Sequence, residues 1–365
     1  MTVTMTTLHG PRADLTDEEI NAFRGRLRGP VLGSPTSPPP AVAATGPAMG
    51  AAAGPPPRDV YNAMYAAAPA VIAQCTGTAD VVDAVNFARE HNLAVAVRGG
   101  GHSVAGLSTI EDGMLIDLSP MRGVQVDPDQ QLARVQGGAL WGDVDRETQA
   151  FGLATPGGVV SDTGVAGLTL GGGYGWLRRK YGLSCDNLVQ AQVVCADGEV
   201  RIASATHNPD LFWAIRGGGG NFGIVTSFAF RLHPVGPVIG FAAPFYPLED
   251  IDAVLRGWRD YVQGAPDEVT SVIVTITFPA LPGMPEAVHN RPCAIVAGAH
   301  VGDPDTAMAD LAPLRELGTP LFDMSQPTPY TTVQSGFDPL FPRNTLRAYW
   351  KSQYLANLTD EAIAV

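Results

Sequence analysis

The chain has 365 residues, room for two domains at roughly 150 residues each, and 45% of them are hydrophobic, which places it among folded globular chains. Its formal charge of −13 repels phosphodiester backbones and anionic lipid, which argues against nucleic acid and membranes as partners. No apolar run approaches the roughly 20 residues of a membrane helix, no leader peptide is visible, and the cysteines at 75, 185, 195 and 293 show neither C-x-x-C nor Cys/His ligand spacing. A cytoplasmic location is the default expectation, with the cysteines as small buried hydrophobes and no metal site.

In chain order, residues 16–28 predict a short helix, with Thr16 and Glu19 spaced as a capping box. Residues 34–57 hold 8 Pro, 7 Ala and 3 Gly without a charge, a composition that reads as a flexible insert. A strand at Val71-Ile72 precedes a helix from Ala79 to His91 with Thr78 as N-cap. Residues 93–97 form an apolar strand that runs into a glycine cluster. Met114–Leu118 and Leu132–Val135 are strands, and Ala139–Phe151 is helical. Val189–Ala196 and Val200–Ala203 flank Asp197-Gly198, a hairpin turn. Asn208–Ile215 is a helix and Ile224–Leu232 an alternating strand.

Beyond Pro234 the helix Asp250–Gln263, the strands Val269–Phe278 and Ala294–Val301, a helix capped by Asp303-Pro304 and running to Glu316, and a last strand Leu346–Leu355 predict an antiparallel-sheet second domain. Thr359-Asp360-Glu361 opens a helix with room for one turn, too short to pack on anything, so this domain is expected to be C-terminally incomplete. The expected division is 1–57, 58–237 and 238–365.

Glycine is concentrated in three loops: Arg98-Gly99-Gly100-Gly101-His102-Ser103, Gly164–Gly175 and Arg216–Gly223. Backbone without side chains lets N–H groups converge on an anion, the usual way to hold a nucleotide phosphate. Gly218-x-Gly220-x-x-Gly223 spells a dinucleotide fingerprint, but it has a helix before it and a strand after it, the reverse of a Rossmann context. No G-x-x-x-x-G-K-[ST] occurs, so a P-loop is excluded as well.

Taken together with Asp117-Leu118-Ser119, Thr155-Pro156-Gly157-Gly158, Gly171-Gly172-Gly173-Tyr174-Gly175 and Asp210–Gly223, the Arg98–Ser103 string resembles the p-cresol methylhydroxylase/vanillyl-alcohol oxidase flavoprotein superfamily. Its nearest likeness is the berberine-bridge-enzyme-like oxidases, over roughly residues 58–358. The resemblance implies an α+β fold: a two-subdomain FAD-binding domain of the PCMH type followed by the substrate domain. It also implies FAD bonded through its 8α-methyl to His102. Arg98, Gly99, Gly100, Gly101 and Ser103 would wrap the pyrophosphate. Pro156, Gly157, Gly158, Gly164, Gly167, Leu168, Gly171, Gly172, Tyr174 and Gly175 would line the isoalloxazine and phosphates, and Asp186, Asn187, Ile224 and Val225 the adenosine side. Relatives with a second tether carry a cysteine in G-x-C-x-x-x-G; here Val160 stands at that place, so a single attachment is expected. Lys351-Ser352-Gln353-Tyr354 resembles a K-S-x-Y segment, which makes Tyr354 the candidate catalytic base. The implied reaction is hydride removal from a C–H beside an alcohol or amine of a sugar or secondary metabolite, with dioxygen as acceptor. A flavin-binding protein without turnover is the alternative.

Overall fold

The computed structural model describes residues 2–33 and 60–364, so the 34–57 insert lies outside the described residues. The capping box forms: Thr16 Oγ1 accepts the Glu19 N–H and the Glu19 carboxylate accepts the Thr16 N–H at 2.7 Å, opening helix Asp17–Arg26. This helix buries Ile20 and Phe23, and Phe23 stacks on Phe87 of helix Thr78–Glu90 with centroids 4.1 Å apart. A fully buried phenylalanine is worth about 1.5–3 kcal/mol, so the pair fastens the N-terminal helix to the body.

The N-cap expected at Thr78 falls at Gly77 instead. Asp80 takes the Thr76 N–H and hydroxyl, both at 2.8 Å, and the Arg28 N–H at 3.0 Å. With the helix entry satisfied by Asp80, Thr78 becomes its first residue and donates its hydroxyl to Gln192 Oε1.

Three sheets organise the chain. The first runs in the order Val31–Leu32, Val71–Gln74, Met114–Asp117, Val95–Arg98, and its last three strands are parallel. Parallel strands need crossovers: helix Thr78–Glu90 carries the chain from Val71–Gln74 to Val95–Arg98, and residues 99–113 return it to Met114–Asp117 between them. The second is antiparallel: Val200–Ser204, Leu188–Val194, Ile224–Arg231, Leu132–Gln136, Val124–Asp127. Its predicted hairpin pairs Val194 with Val200 across a turn in which Gly198 takes φ +82°, a conformation glycine adopts without strain. The third is centred on Arg291–His300, which pairs over its whole length with Val269–Phe278 and on its other side with Val238–Ala242 and Pro244–Pro247. Helices Ile251–Gly264 and Pro304–Arg315 pack on it through Val254, Leu311 and Leu314. The architecture is α+β.

Several elements differ from the sequence reading. Residues 139–151 give a shorter helix, Trp141–Gln149, and residues 208–215 give Pro209–Ala214, because Asn208 sits in the left-handed region at φ +46°. The strand expected over Ala294–Val301 starts earlier, at Arg291, and stops at His300. No strand forms over 346–355. Its approach to the body goes instead to the Tyr61–Ala63 turn: Ala63 N–H donates to Leu346 O, Asn62 Nδ2 to Ala348 O, and Asn344 N–H to Tyr61 O. These bonds hold Leu346 and Ala348 as a loop contact, and residues 349–355 beyond them are exposed. The one-turn helix Asp360–Ile363 does pack: Asp360 pairs with Arg259 at 2.6 Å and also with Arg256, and Ile363 is buried.

Candidate functional site

The C-terminal ends of the three parallel strands carry a buried polar knot. Arg98 and Asp117 lie side by side in register and pair through two hydrogen bonds, Nε to Oδ1 at 3.0 Å and Nη2 to Oδ2 at 2.7 Å. Gln74 and Ser119 donate to the same carboxylate, which lowers the cost of burying its charge. Both partners are fully buried, so the Arg98 guanidinium faces Asp117 and anchors the base of the loop.

From that anchor the loop Gly99–Ser103 crosses the second glycine segment with no side chains between them. A methyl built on Gly100 would lie 2.3 Å from Gly164 N, and one on Gly99 3.0 Å from Gly137 O. The same rule fixes Gly157 against the Trp141 ring, Gly158 against Leu168, and Gly175 against Gly157 O. Gly101 turns at φ +76° and Ser103 Oγ accepts the Leu107 N–H. Helix Val165–Leu170 starts after Gly164; Gly167 has open space before it, and Gly172 takes φ +108°. The third loop is tied in by Gly217 N–H to Leu170 O, with Gly219 and Gly220 open.

His102 is held at the mouth of this cradle by residues from three other places in the chain. Tyr61 stacks on its ring with centroids 4.3 Å apart, and the Tyr61 N–H donates to Gly101 O. Asp162 Oδ1 lies 2.8 Å from Nε2. Arg343 reaches Asp162 Oδ2 at 3.3 Å and donates Nη2 to Gly100 O at 2.8 Å. Burial works to raise the Asp162 carboxyl, yet contact with His102 and Arg343 outweighs it and holds the group below its ordinary range. Burial and the Asp162 charge push the Tyr61 phenol up.

The other expected residues occupy distinct settings. Tyr174 is exposed, with Arg178 over its ring. Asp186 accepts the Leu183 N–H, and Asn187 donates to Tyr181 O and Leu183 O while its Oδ1 meets His233 Nε2 at 2.7 Å, so both fix local backbone. Ile224 and Val225 are buried in their strand. Tyr354 has a fully exposed side chain and is not brought to His102. Tyr61, Asp162 and Arg343 escaped the sequence reading. Asp162 carried a signal, since it stands in the Gly158–Gly164 segment inspected for cysteine; the other two carried none.

The residues present fit an FAD. Thr169 Oγ1 and Ser184 Oγ are buried without a partner among the described residues, on either side of the 171–173 glycines, two hydroxyls that a polar ligand would satisfy. A separate polar cleft lined by Lys180, Glu268, His300, Asp303 and Asp310 shares none of these residues.

Comparison with known proteins agrees with this geometry. A family model described as an FAD binding domain matches residues 69–204. The chain is 36% identical over 275 residues to the FAD-linked oxidoreductase YgaK of Bacillus subtilis, covering 74% of this chain and 58% of that protein. It is 34% identical over 268 residues to (R)-6-hydroxynicotine oxidase of Paenarthrobacter nicotinovorans, covering 73% and 56%. The chain thus spans a little over half the length of these curated relatives. Among solved structures, 6-hydroxy-D-nicotine oxidase from Arthrobacter nicotinovorans superposes with a TM-score of 0.73 at 29% identity, over 87% of this chain and 65% of that one. A chitooligosaccharide oxidase gives 0.66 at 26%, over 80% and 60%. By its FAD-binding domain, its relatives and its fold, the chain belongs to the FAD-linked oxidoreductases of the PCMH type, in the berberine-bridge-enzyme-like group.

Proposed function

We propose that this chain holds FAD covalently through His102, at that single point, as the cofactor portion of an oxidoreductase acting on a C–H beside an alcohol or amine. The observation that carries the reading is the placement of His102: a glycine-walled cradle beside it, the Asp162 carboxylate 2.8 Å from Nε2, and the Tyr61 ring stacked on one face. When bound, FAD would supply the hydride acceptor, with dioxygen as the final oxidant. The chain's own contribution is binding and orientation. Arg98 and Asp117 fix the loop that would wrap the pyrophosphate, and the backbone N–H groups of Gly99–Gly101 are the donors offered to phosphate, since those of Gly171 and Gly172 already donate to Leu168 O and Thr169 O. Val160 leaves the 158–164 segment without a second tether. The division into an FAD-binding part at 58–237 and a substrate part from 238 belongs to the same proposal.

Sugars and cyclic amines are the substrate classes suggested by relatives named for oligosaccharides and nicotine. The test is anaerobic bleaching of the bound flavin by a panel of oligosaccharides and hydroxylated amines, with hydrogen peroxide release on admitting air. Bleaching by one class supports the reading. The exposure of Tyr354 favours a second one, a flavin-binding protein without turnover, and retention of yellow colour with no bleaching by any panel member would establish it.

A further inference from the structure

On the reading that FAD is tethered at His102, we infer that Asp162 and Arg343 decide which imidazole nitrogen reacts, keeping the proton on Nε2 and leaving Nδ1 to bond the flavin 8α carbon. A neutral imidazole has one N–H and one lone pair, and a carboxylate can only accept. Asp162 Oδ1 lies 2.8 Å from Nε2, and both atoms are buried. The approach is oblique to the ring N–H, but neither atom has another hydrogen-bond partner, so turning the ring toward Oδ1 closes the bond without breaking one. The Nε2 side therefore takes the proton, and the lone pair a nucleophile needs resides on Nδ1.

Tyr61 covers one face of the ring, which limits that rotation to the imidazole plane. Arg343 adds to the His102 contact in favouring the ionised carboxylate and, by donating to Gly100 O and reaching Asp162, locks the histidine loop to the carboxylate loop. Asp162 and Arg343 are positioning residues for attachment.

The step balances as follows. The Nδ1–C8α bond forms and one C8α–H bond breaks, releasing a proton, while two electrons enter the isoalloxazine. The imidazole, now cationic, gives its Nε2 proton to Asp162 and on to water. Dioxygen takes the two electrons and two protons as hydrogen peroxide.

Wild type, Asp162→Asn and Asp162→Glu, made in flavin-depleted cells, are incubated with FAD in air while acid-insoluble flavin is followed against time and pH. FAD binding is read separately by fluorescence quenching. The expected result is FAD binding in all three, attachment slowed at least about 100-fold in Asp162→Asn with a rate that climbs toward alkaline pH, and partial rescue in Asp162→Glu. Arg343→Gln slows attachment in the same sense and serves if Asp162→Asn does not fold. Histidylflavin released from the wild-type peptide carries the flavin on Nδ1. Attachment at Nε2, or a wild-type rate in Asp162→Asn, overturns the inference while leaving the tether intact. Wild-type flavin fully released by acid denies the tether and the inference with it.

Discussion

Gly100 and Gly164 meet backbone to backbone: a methyl on Gly100 would lie 2.3 Å from Gly164 N, and one on Gly164 2.4 Å from Gly100 N. Neither position can yield by rotating a side chain, because the obstacle is main chain. Two loops from distant parts of the sequence are thereby joined into one wall of the cradle.

Gly100→Ala or Gly164→Ala must part those loops, at a cost at or above the upper end of the about 1–3 kcal/mol seen for overpacking. Gly167→Ala is the contrast, since Gly167 is helical with nothing within 4 Å. Its methyl favours the helix by up to about 1 kcal/mol and intrudes on the space assigned to FAD. Thermal melts of the flavin-free proteins should show a lowered Tm for the first two variants and an unchanged or raised Tm for the third, with FAD retention reduced in all. Equal melting temperatures for Gly100→Ala and Gly167→Ala would remove the close-approach argument.

Arg98 and Asp117 form a fully buried ion pair. Removing one partner strands the other charge, so Arg98→Met should cost about 3–5 kcal/mol, whereas Arg98→Met combined with Asp117→Leu should recover most of it. Denaturant midpoints at constant m-value decide the matter. A double variant as weak as the single one would mean that the pair stabilises on balance.

Asp145, on helix Trp141–Gln149, accepts from Gln334 Nε2 at 2.9 Å on helix Tyr330–Gln334. Asp145 Oδ1, Gln334 Oε1 and the Tyr330 hydroxyl beside them are buried without partners among the described residues. Burial raises the Asp145 carboxyl from 3.8 to about 7, against the Gln334 hydrogen bond, which lowers it. The folded chain then keeps a proton the unfolded chain has lost. Stability from this group is full below about pH 4 and declines as pH rises to about 7, by at most about 1.4 kcal/mol per unit. Asp145→Asn should flatten that slope, so its Tm advantage over wild type grows from acid to neutral pH. A constant difference across that range contradicts the assignment.

Much of the fold was legible because its signals are local. The Thr16–Glu19 box, the Asp197-Gly198 hairpin and the strand feeding Arg98 each rest on neighbours within a few positions. Strand 346–355 failed because its periodicity says nothing of a partner, and its approach bonds to Asn62 and Ala63 instead. At the candidate site, the glycine loops and His102 stand out in composition and order, but the residues packed against them do not. Arg343 and Gly100 are 243 positions apart, and only folding makes them neighbours. Asp162 was within reach of sequence reasoning, since an acid in a segment expected to touch the flavin invites a question about its partner.

The central claim is the tether at His102, and acid precipitation of the purified protein tests it most directly. The pellet should stay yellow after washing, with one flavin per chain on the peptide containing His102, and His102→Ala should release all its flavin to the supernatant. Wild-type flavin that leaves with the supernatant, or flavin found on the Cys185 peptide, would contradict the account.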